Sequence, residues 1–142
     1  MKILIAADGS PYTRAAARYV ASHSGMLRQQ PEVRIIHVHA ALPVTRSISK
    51  KAIEDYYREE SQKALSVAQK ELEKAGVKFT STWVTGDAAE QIARYAKSEG
   101  IDLIVTGTRG HGALAGLALG SVTNKLIALT KVPVLVIPGA RA

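Results

Sequence analysis

Residues 102–130 read DLIVTGTRGHGALAGLALGSVTNKLIALT. An apolar strand-like run, Asp102 to Thr106, enters a glycine-rich stretch from Gly107 to Ser121, and a helix-like run from Ser121 to Thr130 leaves it. Two glycines separated by two residues, nine further residues and then Gly120-Ser121 give the layout of a phosphate cradle. Glycine admits positive φ and close approach of the backbone to a ligand, and a helix N-terminus presents unpaired N–H groups to an anion. Glycines also serve as plain turn formers, so the spacing alone leaves an anion cradle and a structural loop both open.

The same strand-to-helix alternation extends outward in both directions. Upstream, Lys2 to Ala7 is a strand whose contiguous Ile3, Leu4 and Ile5 suit a parallel strand covered on both faces. Ser10 then offers an N-cap and Pro11 a first helical residue, for a helix with its apolar stripe on Ala15, Ala16, Tyr19, Val20 and Met26, ending near Leu27. Val33 to His39 reads as a second strand and Ala40 to Ser47 as a loop. From about Ser49 to Ala75 the recurrence of Ile53, Tyr57, Ala64, Leu65, Ala68 and Leu72 predicts the longest helix, stopped by Gly76. Val77 to Val84, rich in β-branched and aromatic residues, is a third strand. Asp87 caps a helix striped by Ala89, Ile92, Ala93 and Ala96 and closed by Gly100, and after the fourth strand and the glycine stretch, Val132 to Ile137 is a fifth strand.

Strands alternating with helices over residues 1–142 predict a single α/β domain, an open five-stranded parallel sheet with helices on both faces. Such sheets bind ligands beyond the carboxyl ends of the strands, where the winding reverses. With strand order 3-2-1-4-5, strands one and four are neighbours at that point, and Asp8 and Gly107 face one crevice.

Composition narrows the classes. The chain of 142 residues has no cysteine, which removes disulfide frameworks and thiolate metal sites. Its net charge of +7 is spread along the sequence, the densest group being Arg46, Lys50 and Lys51, without the interleaved aromatics that stack bases; nucleic acid is not an expected partner. The apolar run before Asp8 is too short for a signal-peptide core or a membrane span, so a cytoplasmic location and no membrane contact are expected.

Several motifs are absent. There is no GxxxxGK[ST], and GTRGHG follows strand four and does not fit the dinucleotide fingerprint. The Gly112, Gly116, Gly120 ladder sits in a segment of about a dozen residues, too short to span a bilayer. His111 lacks a Ser-His-Asp setting or a nucleophile elbow, and His37 and His39 share a strand face without a third ligand, so no catalytic residue and no protein-borne metal site is expected.

Gly107-x2-Gly110-x9-Gly120-Ser121, with Asp8 after the first strand, His37-Val38 at the end of the second, the Gly86-Asp87 turn and the terminal Val132-Pro133-Val134-Leu135-Val136-Ile137-Pro138, resembles the universal stress protein family over the whole chain. The resemblance implies a Rossmann-like fold of the adenine nucleotide alpha hydrolase-like kind. It also implies ATP binding in a stress-response module, because in this family the intact glycine motif marks the ATP-binding members. Under it, Asp8, Val38, Thr106, Gly107, Arg109, Gly110, Gly120, Ser121 and Val122 are the nucleotide-binding residues. Gly107 and Gly110 would leave room for phosphates and ribose; Gly120, Ser121 and Val122 would hold phosphate oxygens at the start of the last helix; Arg109 would reach them by its guanidinium. Asp8 would meet the ribose, the base edge or a phosphate-bound Mg²⁺, and Val38 would present its backbone to adenine. The family also pairs its last strand with that of a second subunit, which implies a homodimer through Val132–Ile137. The absence of a base or a cluster of metal-binding carboxylates favours holding ATP over turning it over, with a slow ATPase or autophosphorylating phosphotransferase as the alternative.

Overall fold

The computed structural model describes residues 1–26, 29–43, 47–109 and 119–139. Five strands, β1 (Lys2–Ala6), β2 (Glu32–His39), β3 (Phe79–Thr85), β4 (Leu103–Gly107) and β5 (Val134–Ile137), form one sheet in the order β3-β2-β1-β4-β5, every neighbouring pair parallel. Between them run α1 (Pro11–His23), α2 (Lys50–Lys74), α3 (Ala88–Ser98) and α4 (Ser121–Leu129). This is the predicted architecture and strand order.

Alternation along each strand divides the core in two. On one face, Ile3, Ile5, Val33, Ile35 and Val105 meet Ala16, Ala17 and Val20 of α1 and Leu65, Ala68 and Leu72 of α2. On the other, Leu4, Ile36 and Ile104 meet Ala89, Ile92 and Ala96 of α3 and Leu126 of α4. The central strands therefore need apolar residues at consecutive positions, and Leu4, Ile5, Ile35, Ile36, Ile104 and Val105 are all fully buried.

Helix starts follow capping chemistry. Ser10, Ser49 and Asp87 accept from the N–H groups of Thr13, Ala52 and Glu90, fixing the beginnings of α1, α2 and α3. Three ends differ from the sequence expectation by two residues or more, the others by at most one. α1 stops at His23 and tightens into a 3₁₀ turn at Ser24–Met26, which holds Gly25, a poor residue for helix interiors. β3 begins at Phe79, because the Val77 N–H is spent on Leu72 C=O in closing α2. β5 begins at Val134, because Pro133 has no N–H for the ladder, although its carbonyl accepts from Ile104.

The sheet winds toward β3 through α1 and α2 on one face and toward β5 through α3 and α4 on the other. The reversal falls between β1 and β4, which pair directly, Ile5 beside Val105. A crevice opens there at the carboxyl ends of the two strands.

Candidate functional site: a cleft at the carboxyl ends of β1 and β4

A cleft of about 290 Å³ occupies that crevice. Ala6, Ala7 and Asp8 come to it from β1, Ile36, His37 and Val38 from β2, Ala88 and Ile92 from α3, Thr106, Gly107 and Arg109 from β4 and its exit, and Ser121, Val122 and Thr123 from α4. Asp8, Val38, Thr106, Gly107, Arg109, Ser121 and Val122, seven of the residues singled out in the sequence, thus share one wall system. Gly120 lies beside it as the cap of α4. Gly110 falls outside the described residues, as do His111, Gly112 and Gly116.

Asp8 is anchored by its own loop. Its Oδ1 accepts from the Ser10 N–H at 2.9 Å and from the Thr13 hydroxyl at 2.9 Å. This places the carboxylate at the start of α1, where the helix field favours negative charge. The turn depends on Gly9, at φ +80°, since a Cβ there would stand 2.9 Å from the Ala64 Cα.

Gly107 lines the cleft and has a packing reason as well. A Cβ at this position would fall 2.4 Å from the Tyr12 Cβ, so the missing side chain lets α1 settle against the end of β4. Two buried hydroxyls converge on the Gly107 carbonyl, that of Thr123 at 3.1 Å and, more loosely, that of Thr106 at 3.4 Å. The next residue ties three elements together: the Thr108 N–H donates to Ile137 C=O at 3.0 Å, and Thr108 C=O accepts from the Gly120 N–H at 2.6 Å. Gly120 therefore commits its own N–H to the loop.

Two observations show what the cleft lacks. Among the described residues no side chain caps α4, and its helical bonding begins with the Asn124 N–H donating to Gly120 C=O. The N–H groups of Ser121, Val122 and Thr123 stand ahead of that bond, at the helix end that borders the cleft. Among the described residues, Arg109 Nε is buried and meets no hydrogen-bond acceptor. A buried donor without an acceptor costs about 1–3 kcal/mol and calls for a partner that the described residues do not supply. An anion answers both needs.

The opposite wall is pinned by ions. Lys125 of α4 reaches Asp87 at 3.0 Å and Glu90 at 3.3 Å, joining the start of α3 to α4 beside Ala88. The Glu90 N–H and then the Lys125 ammonium hold the Asp87 carboxyl below its ordinary range. Ile92, Val38 and Ala88 add apolar surface to a cleft that also carries the Asp8 carboxylate and the Thr13, Thr106, Ser121 and Thr123 hydroxyls. No group of three His, Cys, Asp or Glu placed to hold a metal ion occurs among the described residues.

The model of the universal stress protein family matches residues 1–138. The chain belongs to the universal stress protein family. It is 34% identical over 146 residues to the universal stress protein YxiE of Bacillus subtilis, covering 96% of this chain and 97% of that protein. It superposes on the solved structure of MJ0577, a universal stress protein of Methanocaldococcus jannaschii, with a TM-score of 0.77 at 30% identity, covering 99% of this chain and 97% of that one. Three structures of the same fold, at 16–21% identity and TM-scores of 0.70–0.72, are complexes with cAMP, AMP and dAMP; they cover 96–99% of this chain and 91–98% of theirs. Within this family, Thr13, Thr123, Ala88 and Ile92 are residues that line the cleft of this chain and that sequence motifs did not single out. Thr13 and Thr123 share a signal all the same: each is a hydroxyl in the first turn of a helix that begins at the cleft. No helix of the described residues is long and apolar enough to cross a membrane.

Proposed function

We propose that residues 1–142 form one ATP-binding module, with the nucleotide in the cleft between β1 and β4. The observation that carries this reading is the pairing of an uncapped α4 N-terminus with the partnerless Arg109 Nε on one cleft wall. Phosphate oxygens would accept from the N–H groups of Ser121, Val122 and Thr123, from the Ser121 hydroxyl and from the guanidinium. Adenine would lie against Val38, Ala88 and Ile92, and the ribose would fall toward Asp8. Gly110 would give the phosphates room, as its place in the motif implies, while Gly107 and Gly120 act through packing and the Thr108 contact. Mg²⁺ would ride on the phosphates with Asp8 beside it, since the chain provides no carboxylate cluster of its own among the described residues.

The module acts in the cytoplasm as a homodimer. β5 is an edge strand whose sequence VLVI carries no charge, and Val134, Leu135 and Val136 are only partly buried in the single chain. Such an edge needs cover, and a second β5 supplies it with matching chemistry. Heating the purified protein and identifying what it releases by chromatography tests the nucleotide assignment. Recovery of intact ATP is the expected result; ADP would point to turnover instead. If nothing is released and added ATP leaves the melting temperature unchanged, the assignment fails.

A further inference from the structure

A second cleft of about 280 Å³, nearly the size of the first, lies on the other face of the sheet. It is lined by Asp8, Gly9, His37 and His39 from the strand ends and by Tyr56, Glu60, Lys63 and Ala64 from α2. His37 and His39 alternate with Ile36 and Val38, so their rings project with Val33 and Ile35 toward α2, away from the α3 and α4 side. Asp8 and His37 border both clefts and form the partition between them.

Hydrogen bonds set the chemistry of the imidazoles. A carbonyl only accepts, so His37 donates from Nδ1 to Ala7 C=O at 2.7 Å, which leaves Nε2 as that ring's acceptor. His39 donates from Nε2 to Tyr57 C=O at 3.1 Å, with the Ser61 oxygen at 2.6 Å sharing the proton, which leaves Nδ1 as its acceptor. The two rings meet edge to face at 4.4 Å, and His39 abuts Tyr57 at 5.1 Å and Trp83 at 6.1 Å. Tyr56 adds an aromatic wall that is half exposed.

The charges in this space are mixed. Lys63 lies 2.9 Å from Glu60 and 3.4 Å from Glu59, and Asp8 closes the other end. A cation entering would meet the Lys63 ammonium, and an anion would meet Asp8 and Glu60. A neutral molecule carrying both donors and acceptors meets neither repulsion and can hydrogen-bond to the imidazole acceptor nitrogens and the Glu60–Lys63 pair together. Hydroxyl groups do this, and the C–H face of a sugar or cyclitol ring suits an aromatic wall. We propose that this second cleft is a binding subsite for a neutral polyhydroxylated ligand, a sugar or polyol, held by the acceptor nitrogens of His37 and His39, the Glu60–Lys63 pair and the Tyr56 ring.

The subsite shares Asp8 and His37 with the first cleft, but its polyol response is read in the absence of nucleotide. The ring resonances of His37 and His39 report on it directly, and Trp83, the single tryptophan, reports on it through His39. The full chain is titrated with D-glucose and with myo-inositol, neither of them a nucleotide component, and separately with putrescine and with inorganic phosphate. The expected result is a saturable response to at least one of the two polyols, weakened tenfold or more in Tyr56→Leu and in Glu60→Gln, with the ATP titration and the far-ultraviolet circular dichroism of both variants unchanged. Three results overturn the proposal: no response to either polyol, a response to putrescine or phosphate in place of the polyols, or a polyol response that persists in both variants. Failure of ATP to bind would remove the nucleotide assignment and leave this readout standing.

Discussion

Replacing Gly107 by alanine separates the packing reason for this glycine from the ligand-space reason. The added Cβ would fall 2.4 Å from the Tyr12 Cβ and 3.2 Å from the Tyr12 carbonyl carbon, so α1 must move away or β4 must bend. Relief at a carbon–carbon contact requires more than 1 Å of motion against a helix whose Thr13, Ala16, Ala17 and Val20 are buried. Overpacking of this kind costs about 1–3 kcal/mol. For a domain of this length that lowers the melting temperature by roughly 3–12 °C. The assay is thermal and denaturant unfolding of the ligand-free protein, followed by an ATP titration of the variant below its transition. Gly107→Ala should lose stability, and Tyr12→Gly should restore part of it in the double variant, giving a coupling of about 1 kcal/mol or more. A variant that keeps full stability and loses only ATP binding would refute the packing argument and return Gly107 to the ligand.

Three other perturbations follow from the geometry. Arg109→Met removes the buried Nε and the charge while keeping much of the length; ATP affinity should fall about 10- to 100-fold, as expected for one charge-assisted hydrogen bond, while apo stability is unchanged or improved, both read by calorimetry. Val136→Lys places a charge on the partly buried β5 edge and, if the proposed dimer pairs there, should give monomer or insoluble protein in analytical ultracentrifugation where the parent gives dimer; a stable dimer of the variant would refute pairing through β5. His39 has its pKa lowered by burial and then by His37, so the folded state resists the proton that the unfolded chain accepts. Its contribution is complete above the unfolded value of about 6.5 and is lost as pH falls from there through the folded value; stability measured at pH 7.5 and 5.5 should therefore drop more in the parent than in His39→Gln.

The sheet was readable because its central strands announce themselves. Ile3-Leu4-Ile5 and Leu103-Ile104-Val105 are continuous apolar runs, as strands buried on two faces require, and Ser10, Ser49 and Asp87 mark three helix starts by their side chains. The misplaced ends have local causes. Val77 belongs to the apolar run that looked like a strand, yet its N–H had already been taken by α2, a competition invisible to periodicity.

The site was legible where polarity interrupts the pattern, as at Asp8 and Ser121, and wherever glycine does. It was not legible at Ile92, which lies in the α3 stripe and looks like core from sequence alone, nor at Ala88, the first residue of that helix and outside the stripe. Gly107 shows the limit of motif reasoning most clearly. The motif identifies the residue, but the contact that demands glycine comes from Tyr12, 95 positions away in the chain and adjacent only in the fold. His37 and His39 pointed to each other through their shared strand face, but their hydrogen-bond partners on β1 and α2 could not be read from the sequence.

The central claim is that the end of α4 and Arg109 together hold the phosphates of an adenine nucleotide. It is tested most directly by following the backbone amide resonances of Ser121, Val122 and Thr123 and the Arg109 Nε–H resonance while ATP is added. The account predicts saturable downfield shifts of these groups, with adenosine alone leaving them nearly unmoved. Tight ATP binding with these four groups unperturbed would contradict it.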